Sequence, residues 1–291
     1  MQPALDFKEE SDALLALVGN LEPADFERRT LFKSWTVNDV IGHLHLFNHA
    51  AGLSLADETA FGHFRETLSP HLAVPDGMRL YTEGWLADLR GPALLQAWRD
   101  GYEALSEAFA AAGPKRRLQW FGPDMSVLSS VTARLMETWA HGQAVYDLLG
   151  RDRVEHDRIR NIAHLGVATF GWSFINRGLE PPGPPPHVRL TAPSGALWEW
   201  HAPAPEGAAA GGQIGENPVD GTVDKAGKSA VAGDAAEFCQ VVAQTRNVAD
   251  TALIVSGEAA RRWMAIAQCF AGPPETPPAP GSRHRQARPG M

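Results

Sequence analysis

The run EPPGPPP, Glu180 to Pro186, cannot continue a helix and reads as a linker between two domains. The patterning changes across it. Before it, apolar residues recur at helical spacing. ESDALLALVGNL carries one such stripe. SWTVNDVIGHLHLFNHAAGLSLAD carries another, with Val37, Val40, Ile41, Leu44, Phe47 and Ala51 on one face. It opens on Thr36 with Asp39 three residues later, the pattern of a capping box. PALLQAWRDGYEALSEAFAAAG is a third helix, opened by Pro92 and closed by Gly113. A fourth spans about Ser129 to Leu149, punctuated by Gly150. Four amphipathic helices predict a four-helix bundle. Residues 58–80, between the second and third, predict a loop or short helix. RIRNIAHLGVATFGWSFINRG predicts a fifth helix.

After the linker the pattern is that of a small α+β domain. HVRLTAPSGALWEWHA reads as two strands around a Pro-Ser-Gly turn. SAVAGDAAEFCQVVAQT reads as strand, aspartate cap and helix, and TALIVSGEAARRWMAIAQCFAG as strand and helix. The Gly/Ala/Pro-rich residues 203–228 predict a mobile loop. The fold class is therefore α+β, with a helical domain over 1–179 and a small α+β domain over 187–272. Residues 273–291 predict a disordered tail in which Arg283, Arg285 and Arg288 are solvated. No internal repeat is present.

Charge and composition narrow the function. The formal net charge of −8 argues against a nucleic-acid binder or a protein drawn to anionic membranes. No apolar run approaches the roughly 20 residues of a membrane span. The N-terminus has acids where an export signal needs bases, so a cytoplasmic protein is expected. The 2 cysteines, Cys239 and Cys269, form no CxxC pair and sit in apolar helical stretches. Both are expected to be buried and poor nucleophiles. Any metal would be held by histidine and carboxylate.

Glu137 and His141, in LMETWAHGQAVYDLLG, lie four residues apart on a face shared with Ala133, Ala140, Ala144 and Leu148. An ionised carboxylate on such a face is costly unless paired or coordinated. An ion pair with Arg134 or another arginine is one answer. A metal ion is another, because bundle cores recurrently hold glutamate and histidine ligands on facing helices. A third ligand could come from His43, His45 or His49 on the second helix, and periodicity does not choose between them.

The segments WTVNDVIGHL and RLMETWAHGQAVYDLLG resemble the metal-binding signature of the DinB-like, mycothiol-dependent maleylpyruvate isomerase superfamily, W-x3-D-x3-H on one helix and E-x3-H on a later one. The resemblance covers about residues 10–272. It implies a four-helix bundle followed by a sterol-carrier-like α+β domain, and metal ligands at His43, Glu137 and His141. Three ligands leave an open position, the catalytic form of a zinc site; Zn²⁺ suits them, as do Ni²⁺, Fe²⁺ or Mn²⁺. It further implies that Arg246 holds the carboxylate of a thiol cofactor, against a plain reading of Arg246 as a surface or interdomain ion-pair residue. Two positions depart from the family pattern: Ala144 replaces an acidic residue after HGQ, and Asn48 stands where aspartate is frequent.

The leading expectation is a metal-dependent enzyme using a low-molecular-weight thiol, mycothiol, for isomerisation or S-transfer on an electrophilic small molecule. The alternatives are a thiol-independent hydrolase, lyase or cyclase, and a non-catalytic, metal-stabilised binding protein. A monomer or homodimer is expected, with no nucleic-acid or membrane partner.

Overall fold

Thr36 begins the helix that carries much of the candidate site. Its hydroxyl accepts a hydrogen bond from the Asp39 amide at 3.0 Å, and the Asp39 carboxylate accepts from the Thr36 amide at 2.8 Å. This reciprocal box satisfies amides that no helical carbonyl can reach. In the computed structural model, which describes residues 1–202 and 229–287, the helix is Val37–Ala56. The expected 203–228 loop and Arg288 lie outside the described residues.

The chain forms two compact units, the first comprising Met1–Val154, Phe270–Gly272 and Gly281–Met291. Its helices are α1 (Gln2–Val18), α2 (Val37–Ala56), α3 (Glu58–Leu72), α4 (Gly77–Leu86), α5 (Gly91–Ala111) and α6 (Val127–Leu148). A two-stranded antiparallel sheet, β1 (Arg117–Leu118) with β2 (Met125–Ser126), precedes α6. Both α1 and α2 pack against α5 and α6. Phe7, Leu14, Ile41, Trp98, Tyr102 and Trp139 are fully buried among them. Asn38 of α2 also starts α5: its side-chain oxygen accepts from the Gly91 amide at 2.7 Å, and Gly91 takes φ +56°, a conformation that suits glycine.

Residues 58–80 hold more helix than expected. Asp57 caps α3 by accepting from the Ala60 amide at 2.9 Å, and Phe61 and Leu68, two turns apart, are buried. That pair is too sparse a stripe to stand out in the sequence.

The second unit comprises Glu155–Cys269 and Pro273–Pro280. It contains α7 (Arg160–Ala168), α8 (Phe170–Ile175), α9 (Ala235–Val242) and α10 (Glu258–Met264). Strands β3 (His187–Thr191), β4 (Leu197–Trp200), β5 (Ala230–Asp234) and β6 (Ile254–Ser256) form one sheet in the order β4-β3-β5-β6. β3 runs parallel to β5; the other pairings are antiparallel. Asp234 caps α9 through the Ala236 and Glu237 amides. Phe174, Val188, Leu190, Val231, Phe238 and Trp263 fill this core.

Two boundaries differ from the sequence reading. The units divide after Val154, not at residue 179, because α7 packs on α9. A Cβ on Gly166 would come within 2.7 Å of Val242, so the glycine is what lets these helices touch. The expected fifth helix is also broken in two. The Thr169 hydroxyl donates to the carbonyls of Leu165 and Gly166, competing with the helical ladder where α7 ends.

The tail is ordered through residue 287 rather than disordered. Side-chain amides hold its backbone: Gln268 donates to the Pro273 carbonyl at 3.1 Å and Asn247 to the Pro278 carbonyl at 2.8 Å. In the helical unit the Gln286 amide donates to the Asp147 carbonyl at 2.8 Å, Arg283 lies 4.9 Å from the Phe32 ring centre, and Arg285 meets Asp152. Apolar periodicity carries no trace of such docking. Among the described residues, no helix is long and apolar enough to cross a membrane.

Candidate metal centre

A turn sets the first wall of the site. Lys33 and Ser34 both take positive φ, and the Trp35 carbonyl accepts from the Thr30 amide at 2.7 Å. The turn delivers Trp35 immediately before the Thr36 cap. Its ring stacks on His141, centroids 5.6 Å apart and planes 8° from parallel, and lies 5.2 Å from His43. The tryptophan and aspartate of W-x3-D-x3-H therefore act as wall and cap, and the histidine is the residue aimed at α6.

His43 of α2 and His141 of α6 converge on Glu137. His43 Nε2 is 3.2 Å, and His141 Nε2 3.1 Å, from the same oxygen, Glu137 Oε2. Each of the three offers a ligand atom, and these atoms all lie within 4.8 Å of one another. Neighbouring ligands in a tetrahedral shell with bonds of about 2.0–2.1 Å stand about 3.3 Å apart, so the two shorter separations match a metal shell. Two imidazole nitrogens aimed at one carboxylate oxygen form the N₂O donor set of His₂Glu catalytic zinc sites.

His45 and His49 are elsewhere, 5.4 and 5.3 Å from the Trp85 ring of α4. The helix turns them away from α6.

The electrostatics favour ligation. Burial, reinforced by His141, lowers the His43 pKa to about 4 and keeps its imidazole neutral, the form that binds metal. Burial alone would raise the Glu137 carboxyl. Hydrogen bonds with His141 and His43, with the charges of His141 and Arg134, outweigh it and hold the carboxyl well below its usual range. Phe47 packs 4.8 Å from the His43 ring and Phe32 5.0 Å from that of His141. One departure from a standard metal histidine stands out: His43 Nδ1 is buried with no hydrogen-bond partner among the described residues, where a ligand imidazole ordinarily donates to an acceptor.

Several neighbours serve the scaffold. Gln143 of HGQ donates to Asp147 at 3.0 Å and accepts from Arg153, which also meets Glu10 of α1 in a buried ion pair. Asn48 is buried, with both side-chain polar atoms unpartnered among the described residues. Arg246, in the second unit, donates to the Thr245 carbonyl at 2.9 Å. Cys239 and Cys269 are both buried. Sequence patterning did not single out Phe32 as a wall residue, because its turn carries no periodic signal.

The sequence profile of the mycothiol maleylpyruvate isomerase N-terminal domain family matches residues 7–146. Two uncharacterized proteins, from two strains of Mycobacterium tuberculosis, are each 39% identical over 269 residues, 92% of this chain and 95% of theirs. Among solved structures, that of the mycothiol-dependent maleylpyruvate isomerase superposes with a TM-score of 0.49 at 15% identity. A histidine-to-alanine mutant of it gives 0.50 at 14%. Each covers 82% of this chain and 87% of its own, and the mutant's likeness bears on the fold alone.

Proposed function

Because the chain belongs to the superfamily of the mycothiol-dependent maleylpyruvate isomerases, we propose that it is a metalloenzyme using a low-molecular-weight thiol, mycothiol, in isomerisation or S-transfer on an electrophilic small molecule. The observation that carries this reading is the meeting of His43, Glu137 and His141, two of them 3.1 and 3.2 Å from one carboxylate oxygen. A divalent ion such as Zn²⁺, when bound, would supply an open coordination position and acidify a thiol placed there. The protein's own groups prepare that position. Glu137 remains anionic and offsets the charge of a cation. His43 presents a neutral imidazole. Trp35, Phe32 and Phe47 narrow the access of water, which strengthens each electrostatic interaction inside. Arg246 is the proposed anchor for the thiol's carboxylate, since a planar guanidinium matches a carboxylate with two hydrogen bonds.

Metal analysis of purified protein tests the first half. One equivalent is expected in the wild type and in His45→Ala, and none in His43→Ala, Glu137→Ala or His141→Ala. Full retention in those three variants would sink the ligand set. Calorimetry with mycothiol on metal-loaded protein tests the second half. No heat and no thermal shift at millimolar thiol would leave a thiol-independent metalloenzyme as the better reading. Undiminished binding in Arg246→Ala would remove only the anchor.

A further inference from the structure

Arg134 is a buried cation with no ion-pair partner among the described residues. The residue is 4% exposed, and its Nη1 has no hydrogen-bond partner among the described residues. The ion pairs of the site join Glu137 to His43 and His141, not to Arg134. Its guanidinium lies 5.5 Å from the Phe47 ring centre and 5.8 Å from that of Trp120. Aromatic rings stabilise a cation but accept none of its N–H groups in the manner of an oxyanion. A desolvated guanidinium without an acceptor is costly, and a fold retains one where something supplies that acceptor.

The position ties Arg134 to the metal centre. At about 100° per residue, Glu137, His141, Arg134 and Thr138 fall within an arc of about 100° on α6. Phe47, which touches the Arg134 guanidinium, also packs 4.8 Å from the His43 ring. Arg134 and Glu137 sense each other electrostatically: the arginine helps to hold the carboxylate ionised, while burial pulls the guanidinium's own pKa down. Thr138, on the same face, is fully buried with a hydroxyl that has no partner among the described residues. Arg134 Nη1 and the Thr138 hydroxyl, both without a hydrogen-bond partner among the described residues and one helical turn apart, make a donor set for a compact oxyanion.

We propose that Arg134, assisted by the Thr138 hydroxyl, binds the carboxylate of the small molecule that reacts at the His43–Glu137–His141 centre. That the molecule reacts there rests on the metal-centre reading; its binding by Arg134 does not. It selects small organic acids over their neutral analogues, because a neutral analogue would leave the guanidinium desolvated and unpaired. The role is separate from that of Arg246, which is assigned to the thiol.

The probe is trifluoroacetate, followed by fluorine NMR line broadening on the full chain, with trifluoroacetamide as the neutral isostere and metal content measured in each sample. Saturable binding of trifluoroacetate and none of the amide is expected, in metal-free and zinc-loaded protein alike. Arg134→Gln should weaken trifluoroacetate at least about tenfold, the loss of one charge-assisted contact, with zinc stoichiometry unchanged. Arg134→Lys keeps the charge without the fork and should fall between; it decides the matter where the glutamine variant does not fold. Undiminished affinity in the folded variant, equal binding of the amide, or no binding by the wild type overturns the proposal. A wild type that takes up no zinc but binds trifluoroacetate through Arg134 would discard the metal centre and keep the anion site.

Discussion

At the scale of single residues, this protein buries charge in two ways. Glu10 and Arg153 form a closed pair, with side chains 3% and 6% exposed, and Arg153 also donates to the Trp139 carbonyl at 2.8 Å. Glu10→Ala would leave a desolvated guanidinium without its carboxylate, so a loss of about 3 kcal/mol is expected. Urea unfolding checks it, and a loss within experimental error would show that the arginine finds another acceptor. Arg134, by contrast, has no such carboxylate among the described residues. The sequence held enough to find Glu137 and His141, because a carboxylate four residues from a histidine on a small-residue face is a local anomaly. It did not separate His43 from His45 and His49. That choice depends on the rotation of α2 relative to α6, a tertiary quantity that the family pattern supplied. Nor could it distinguish the paired arginine from the unpaired one, since the acceptor for Arg153 comes from residue 10.

At the scale of elements, caps were legible and interruptions were not. Thr36 and Asp234 both act where their positions indicate, since an N-cap bonds within three residues of itself. The break at Thr169 was invisible, because the stripe of apolar residues runs through it without a gap. The contact of α7 with α9 depends on a single missing side chain. Gly166→Ala would place a methyl 2.7–3.0 Å from three atoms of Val242. A cost of about 1–3 kcal/mol is expected from overpacking, despite alanine's better helix propensity. Val242→Ala combined with Gly166→Ala should recover part of that loss, read as a positive coupling in a double-mutant cycle. A stabilised single variant would mean that the two helices slide apart at no cost.

At the scale of the whole molecule, the division into a helical unit and an α+β unit was legible from the change of periodicity, but its boundary was not. A proline run marks where no helix can pass, whereas the contacts of α7 decide which unit that helix joins. The tail was misread for a related reason. Its hydrogen bonds come from Gln244, Gln268 and Asn247, whose positions carry no repeating signal. Ending the chain after Gly272 would remove these bonds together with the Asp147, Phe32 and Asp152 contacts. A fall in Tm of at least about 3 °C by calorimetry is expected; an unchanged Tm would show that the tail's bonds to protein are no better than those to water. The chain passes between the units after Val154, Cys269, Gly272 and Pro280. During synthesis, α1 to α6 leave the ribosome before any of the second unit, yet the strip from Gly281 that belongs with them follows all of it. The helical unit is thus begun before the second unit and completed after it, and a premature stop codon at or before position 280 would leave both units incomplete.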